Sequence, residues 1–232
     1  MKIEPIATVR TCFGSKFATP RQPGLCLSAW GELIFESPYR NVDSIRGLEG
    51  FSHLWLIFGF HETIEQGWKP TVRPPRLGGN ERVGVFASRS TFRPNSLGLS
   101  LVTLEGIDTN SPESPILKLG GIDLIDGTPI YDIKPYLPYA ESVPNARSGF
   151  ADEEITRLKV EVAENAQDDF HQLSTRAQNL IMEALSLDPR PAVQTHHQDR
   201  SFGATLCGKN VRFTISETTC LIIQISDAAE RF

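Results

Sequence analysis

Short stretches of alternating or continuous apolar residues dominate the first 140 positions of the chain, and this pattern predicts a β-rich region. Residues 3–10 alternate weakly and predict an opening strand. Residues 51–60 are nearly all apolar or aromatic, which is typical of a strand buried on both faces. Further strand-like segments follow at 83–87, 99–107, 116–119, 122–125 and 130–138.

The pattern changes after about residue 140. Residues 144–149, Pro-Asn-Ala-Arg-Ser-Gly, are typical of a linker, and 158–162 alternate as a strand does. Residues 168–187 carry apolar side chains at helical spacing, with Asp168 or Asp169 as candidate cap. Residues 211–215 and 221–225 predict a closing hairpin. The sequence therefore predicts a mainly β domain over 1–142 and a small α+β domain over 150–232.

The composition agrees with a soluble globular protein. Hydrophobic residues make up 40% of the 232 positions and charged residues 22%. No stretch approaches the roughly 18 apolar residues of a membrane span, and the first residues lack the apolar segment of a secretory signal. The four cysteines stand far apart and form no Cys-x-x-Cys pair. We therefore expect reduced thiols in a cytoplasmic protein, with neither a zinc knuckle nor a redox motif.

Charge is unevenly distributed along the chain. The net charge is −5, yet residues 1–140 hold 14 basic and 14 acidic side chains, so the deficit lies entirely beyond them. Within residues 69–98 six basic side chains face only Glu81, a local charge of +5. The six are Lys69, Arg73, Arg76, Arg82, Arg89 and Arg93. Local charge steers phosphates, so this cluster favours a nucleic-acid partner; solvated or internally paired arginines are the alternative.

Several common chemistries lack their motifs. The sequence holds no Gly-x-Gly-x-x-Gly dinucleotide fingerprint, no P-loop and no Gly-x-Ser-x-Gly elbow. The histidines are scattered, and the adjacent pair His196-His197 lies in a polar segment more typical of solvated side chains than of a metal site. We therefore predict no metal.

Five irregular segments place polar side chains at the ends of apolar strands, where binding residues concentrate. They are residues 20–22, 60–62, 73–80, 86–95 and 123–129. Prolines and glycines fix the geometry of several of them, which a simple linker does not require.

These segments carry a resemblance to a known family. PRQPG, RGLEGFSHLWLIF, PTVRPPRLGGN, VGVFASRSTFRPNSLGLS and DLIDGTPIYDIKPYLPYAES look like the TrmO (TsaA/YaeB) family. The resemblance is close over residues 3–142 and looser beyond, through Asp-Pro-Arg-Pro-Ala at 188–192. It implies a single small β-barrel that works as a homodimer. It also implies S-adenosylmethionine-dependent methylation of N6 of threonylcarbamoyl-adenosine, at position 37 beside the anticodon of tRNA.

The same resemblance implies a set of cofactor-binding residues. They are Pro20, Arg21, Gln22, His61, Glu62, Arg89, Leu99, Asp123, Leu124, Ile125 and Asp126. Either Arg21 or Arg89 suits the cofactor carboxylate, and Glu62 or Asp126 suits its ribose or ammonium. Two alternatives stay open: Asp123 and Asp126 shape the turn at 127–129, and His61 is an ordinary strand-end histidine.

The acceptor nitrogen is part of a ureido group and reacts poorly until its proton leaves. Asp126 is the candidate general base, against simple positioning with later proton loss to water. Arg73, Arg76 and Arg93 are the candidate tRNA contacts, with Asn95 reading a base or the threonylcarbamoyl group. Phe92 and Tyr136 are candidate stacking residues or core residues.

Two other functions fit the residues alone. One is a non-catalytic module that binds S-adenosylmethionine or RNA, and the other is a phosphate-ester enzyme built on the arginine-rich loop.

Overall fold

Most of the chain forms two β-structures joined by irregular segments. The computed structural model of the protein describes residues 2–152, 154–190 and 200–228. The strands are β1 (Ala7–Thr11), β2 (Trp30–Phe35), β3 (His53–Gly59), β4 (Thr71–Val72), β5 (Val83–Gly84), β6 (Leu97–Asp108), β7 (Ile116–Gly120), β8 (Pro129–Pro135), β9 (Lys159–Val162), β10 (Ser201–Leu206), β11 (Lys209–Ser216) and β12 (Thr219–Asp227). The helices are α1 (Pro138–Glu141), α2 (Gln167–His171) and α3 (Thr175–Ser186). The predicted mainly β fold is confirmed.

Six strands close into a barrel in the order β1-β2-β7-β6-β3-β8. The last pairing is antiparallel, with Ala7 opposite Ile130, and it completes the ring. The barrel core is made by inward side chains that alternate along the strands. Its fully buried members include Ala7, Val9, Leu33, Leu54, Leu56, Leu117, Leu119 and Ile130.

Strand β3 is shorter and less buried than predicted. Leu54, Leu56 and Phe58 are buried, whereas the alternate Trp55 and Ile57 are half-buried. The expectation of burial on both faces is therefore wrong, because the continuous apolar run puts one face inside the barrel and leaves the other partly open. Phe58 lies opposite Gly98 in the β3–β6 pair. The Phe58 ring occupies the space that a Cβ on Gly98 would fill, so this position requires glycine.

Two further strand predictions fail at the edges of the barrel. Residues 122–125 form no strand, and residues 85–87 turn into a single 3₁₀ turn after the two-residue β5. Both segments are mostly apolar, so hydrophobic periodicity alone did not separate them from strands. Each segment still buries apolar side chains in irregular backbone: Ile122 and Leu124 in the first, and Val85 in the second.

A second sheet contains β10, β11, β12 and β9 in that order, with β9 parallel to β12. The predicted hairpin is confirmed as β11–β12, while β10 was not predicted. The predicted helix over 168–187 is two helices, because the Ser174 side chain accepts a hydrogen bond from the Ala177 N–H and starts α3 afresh. The buried face of α3 carries Leu180, Ile181 and Leu185.

The chain separates into two compact units that do not follow chain order. The first contains Met1–Arg10, Gly31–Gly120 and Gly127–Glu154, and the second contains Thr11–Trp30, Gly121–Asp126 and Ile155–Phe232. The second unit thus combines the C-terminal sheet with two loops from the amino-terminal half. Phe17, from the first of these loops, stacks on Phe202 and Phe213 of the C-terminal sheet.

Candidate active site

The turn at 123–126 is fixed to the segment that follows the first barrel strand. The Asp126 carboxylate accepts a hydrogen bond from the Thr11 N–H at 2.9 Å through Oδ1, and the Asp126 N–H donates to the Phe13 carbonyl at 2.9 Å. The Thr11 hydroxyl donates to the Leu124 carbonyl at 3.0 Å. These bonds set the direction of the Asp126 side chain, which remains exposed.

One oxygen of Asp126 is committed to this turn and the other is not. Within the described ranges no hydrogen bond or ion pair engages Oδ2. The residue lines an open cleft of about 500 Å³. The other lining residues are Thr11, Cys12, Gly14, Thr205, Gly208, Asn210 and Ala228. Asp126 therefore combines a structural contact with an accessible carboxylate oxygen.

The loop that carries Pro20, Arg21 and Gln22 belongs to the same compact unit. Pro20 is buried, Gln22 is half-buried and Arg21 is exposed. The Gly24 N–H donates to the Gly121 carbonyl at 2.9 Å, so the loop and the turn at 121–126 are joined directly. The second unit thus brings together seven of the predicted cofactor residues, 20–22 and 123–126.

Arg21 is held by the segment after helix α3. Its Nη2 donates to the Arg190 carbonyl at 3.3 Å. Although the residue is exposed, neighbouring protein atoms desolvate part of its guanidinium and lower the pKa of Arg21, and the nearby Asp188 carboxylate opposes that shift. The guanidinium stays charged at any physiological pH, so it can pair with an anion.

The first unit brings together three of the remaining cofactor candidates. His61 and Glu62 begin a 3₁₀ turn directly after β3, and both are exposed. Leu99 lies opposite Ile57 near the start of β6 and is 53% exposed. The Phe60 N–H donates to the Ser96 carbonyl at 2.8 Å, which holds the end of β3 beside the entry to β6. This end of the strand pair therefore presents two polar side chains and an apolar one.

The arginine-rich segment has individual anchors in the same unit. Arg76 Nη1 donates to the Ala151 carbonyl at 2.8 Å. Arg93 Nη1 donates to the carbonyls of Val85 and Ser88, at 3.2 and 2.8 Å, and so closes the turn at 85–88. Arg73, Arg89 and Asn95 are exposed, and Arg89 also makes an interaction within the protein. Part of the basic cluster therefore shapes its own loop.

This loop also carries an exposed aromatic ring, Phe86, that the sequence analysis did not predict as a binding residue. Phe86 is 74% exposed, and the Arg93 guanidinium lies 5.7 Å from its ring centroid. By contrast Phe92 is half-buried under Lys69, whose Nζ is 3.9 Å from the ring centroid. Tyr136 packs edge-on against Trp55. The sequence does show Phe86 within the arginine-rich segment, but it does not show that the ring is exposed to solvent.

A second cleft of about 450 Å³ lies beside α3 and is lined by residues such as Leu25, Met182 and Glu183, none of them a predicted site residue.

In residues 2–152, 154–190 and 200–228 no group of three His, Cys, Asp or Glu side chains is arranged to hold a metal. His196 and His197 lie outside the described residues. The four cysteines are all described and are free thiols. None of the described helices is long and apolar enough to cross a membrane.

Comparison with known proteins identifies the family of the chain. Residues 8–142 match the tRNA-methyltransferase O N-terminal domain, and residues 155–228 match the TrmO C-terminal domain. The chain is 48% identical to the tRNA (adenine(37)-N6)-methyltransferase of Escherichia coli K12, over 93% of this chain and 94% of that one. It is 45% identical to a putative S-adenosylmethionine-dependent methyltransferase of Pseudomonas aeruginosa, over 91% of each.

A solved structure agrees with the fold as well. The crystal structure of TrmO from Pseudomonas aeruginosa superimposes with a TM-score of 0.80 at 36% identity, covering 97% of this chain and 98% of that one. Both family domains, in order, and a fold shared over nearly the whole length confirm the resemblance seen in the motifs. The chain belongs to the TrmO family of tRNA methyltransferases.

Proposed function

We propose that the protein transfers a methyl group from S-adenosylmethionine to N6 of adenosine 37 in tRNA, and that the adenosine carries a threonylcarbamoyl group. The observation that carries the first part is the match to both TrmO domains together with a relative of that activity at 48% identity. The threonylcarbamoyl substrate is the finer proposal and rests on the motif resemblance. A tRNA substrate also favours a cytoplasmic location.

The proposed cofactor residues have the chemistry that the cofactor requires. Bound S-adenosylmethionine supplies an electrophilic methyl group on a sulfonium centre. Its carboxylate needs a planar donor such as Arg21 or Arg89, and its ammonium and ribose hydroxyls need acceptors such as Glu62 or Asp126. His61 and Gln22 add polar groups, and Leu99 offers exposed apolar surface for a base. The donor set therefore fits the cofactor, and it requires no metal.

Asp126 is the proposed general base. The ureido nitrogen shares its lone pair with the adjacent carbonyl, so attack on the methyl group requires loss of the N6 proton. Asp126 Oδ1 is occupied by the Thr11 N–H, which holds the carboxylate in place. Oδ2 would accept the N6 proton as the nitrogen gains the methyl group, while the methyl–sulfur bond would break and leave its electron pair on the neutral thioether product. The proton then passes to water. Backbone groups of Pro20, Leu99, Leu124 and Ile125 are proposed to serve the cofactor adenine.

The tRNA contacts are proposed in two groups. Arg73 and Arg76 act through their charge on phosphates, and Asn95 reads a base or the threonylcarbamoyl group. Arg93 holds the 85–88 turn through two carbonyls and supplies charge from that fixed position.

Phe86 is a stacking platform for a splayed loop base, because single-stranded RNA is recognised through aromatic rings beside cations. Replacing Phe86 with Ala should weaken tRNA binding, whereas Phe86→Trp should retain it.

We also propose that the protein acts as a homodimer. This rests on the family resemblance, and sedimentation equilibrium tests it directly. A mass of twice that of one chain supports the dimer, and a single-chain mass at micromolar concentration contradicts it.

One experiment tests the proposed function as a whole. The purified protein is incubated with S-adenosylmethionine labelled in its methyl group and with tRNA that carries or lacks the threonylcarbamoyl group. We expect label in nucleoside 37 of the modified tRNA alone, and activity that survives a chelator.

The possible results separate the alternatives. Equal labelling of both tRNAs removes the threonylcarbamoyl requirement and keeps the methyltransferase. Cofactor binding without transfer to either tRNA supports the non-catalytic module instead.

A further inference from the structure

An unusual ion pair follows helix α3 in the second unit. Arg190 is buried, with 7% of its surface exposed, and it pairs with Asp188 only two residues earlier. The pair is bidentate: Arg190 Nε meets Asp188 Oδ1 at 2.9 Å, and Nη2 meets Oδ2 at 2.8 Å. The Arg190 N–H also donates to Oδ1 at 3.2 Å. Asp188 adopts a left-handed backbone with φ of 47°, which few residues other than glycine, Asn and Asp tolerate.

This pair does not serve to tie two distant segments together. Its members are two residues apart, and burying a guanidinium is costly unless every donor finds a partner. Asp188 accepts hydrogen bonds from Nε and Nη2 of that guanidinium, and these bonds raise the pKa of Arg190. What the pair does fix is the backbone between the two residues. The direction of the Arg190 carbonyl is therefore set by the left-handed Asp188 and by the bidentate contact.

The Arg190 carbonyl, fixed in this way, accepts a hydrogen bond from the Arg21 guanidinium. Arg21 Nη2 donates to it at 3.3 Å. A guanidinium has five N–H donors on a flexible stem, and one anchored nitrogen restricts the plane in which the others lie. The loop beneath is anchored too, because Pro20 is buried and Gly24 bonds to Gly121. Arg21 is thus oriented at both its backbone and its tip.

We propose that Asp188 and Arg190 are positioning residues that orient Arg21 for the carboxylate of S-adenosylmethionine. The proposal rests on the proposed function, and it gives the C-terminal segment a part in cofactor binding. Asp188 and Arg190 neutralise each other, so the charge that remains for an incoming carboxylate is that of Arg21. Electrostatic attraction and a preset donor plane then act together on the one cofactor group that needs both.

Calorimetry with two ligands tests the proposal without catalysis. The ligands are S-adenosylmethionine and its decarboxylated form, which differ only in the carboxylate. Asp188→Asn keeps the shape and the tolerance of a left-handed backbone but removes the charge that grips Arg190. We expect it to weaken S-adenosylmethionine binding about 10-fold, in line with a lost charge-assisted contact, and to leave the decarboxylated ligand unchanged. In an Arg21→Ala background the same change should have no further effect.

A control and a second variant keep the outcome clear. Asp227→Asn breaks the exposed pair with Lys209 in the same unit and should leave both affinities unchanged. Arg190→Lys keeps the charge but loses the two-point contact, and it should reproduce the selective loss if Asp188→Asn does not fold.

The remaining outcomes contradict specific claims. Equal weakening of both ligands, or no weakening, overturns the positioning role. A wild-type protein that does not discriminate between the ligands overturns the role of Arg21 and leaves the methyltransferase standing. A wild-type protein that binds neither ligand overturns the proposed function itself.

Discussion

Asp126 offers the sharpest separation of a structural role from a chemical one. Its two carboxylate oxygens have different surroundings, since Oδ1 holds the Thr11 N–H and Oδ2 is accessible in a cleft. Asp126→Asn keeps an acceptor at the Oδ1 position and removes both the charge and the basic oxygen. The substitution therefore preserves the turn while it abolishes proton acceptance.

The expected magnitudes of the two effects differ widely. A hydrogen bond to a charged group contributes about 1.5–3 kcal/mol and a neutral one about 0.5–1.5 kcal/mol, so the substitution costs on the order of 1 kcal/mol for this exposed side chain. For a chain of this length that lowers the melting temperature by roughly 2–4 °C. Loss of a general base lowers the rate roughly 10²–10⁴-fold, or about 3–5 kcal/mol of activation free energy.

Single-turnover methyl transfer, measured beside thermal unfolding, distinguishes the two roles. We expect Asp126→Asn to transfer methyl at least 100-fold more slowly, in keeping with the general-base range, and to unfold within a few degrees of the wild type. Asp132→Asn is the matched control, because Asp132 is also an exposed carboxylate that accepts from a backbone N–H, that of Ile133. Full activity in Asp126→Asn would refute the base and leave only the turn.

Two further predictions concern the fold. Gly98→Ala places a methyl group against the buried Phe58 ring and should lower the free energy of unfolding in urea by about 1–3 kcal/mol. Gly106→Ala lies on the same strand but meets open space, so its free energy of unfolding should stay within about 0.5 kcal/mol of the wild type. Equal effects of the two substitutions would contradict the close approach of Gly98 and Phe58. Burial raises the pKa of Cys12 to about 12, and Cys220 is raised likewise to about 12. Because the unfolded thiols ionise first, near pH 9, the free energy of unfolding should hold below that pH and fall as pH rises toward 12; a flat profile from pH 9 to 11 would contradict the shift.

The sequence predicted the β-rich architecture because hydrophobic periodicity survives in short strands. It did not predict where apolar segments stop being strands. Residues 122–125 are apolar except for Asp123, yet they form no strand, because Ile122 and Leu124 are buried within a turn rather than in a sheet. The helix over 168–187 was placed correctly but its interruption was not, because Ser174 looks like any surface residue until its side chain caps α3. Barrel closure came from the resemblance alone, as no local pattern encodes the pairing of β1 with β8.

For the candidate site, the sequence motifs identified the loops but did not predict which contacts single side chains make within the protein. Arg93 was predicted to contact tRNA, and it also binds the carbonyls of Val85 and Ser88. The buried Arg190 was invisible as a partner of Arg21, because 169 positions separate them and a positive φ at Asp188 creates the contact. Such contacts depend on backbone direction, which residue identity does not specify.

The interleaved composition of the second unit has a consequence for biosynthesis. Residues 11–30 and 121–126 leave the ribosome well before 155–228, with which they form one compact unit. At about 5–20 residues per second, roughly 10–40 s separate synthesis of the Arg21 loop from that of the last described strand. During that interval the nascent loop lacks the Arg190 carbonyl that holds it in the finished protein. The proposed Arg21 cofactor contact is therefore assembled only after residue 190 has been synthesised. A chain that stops before residue 188 carries the PRQPG motif without the carbonyl that orients Arg21.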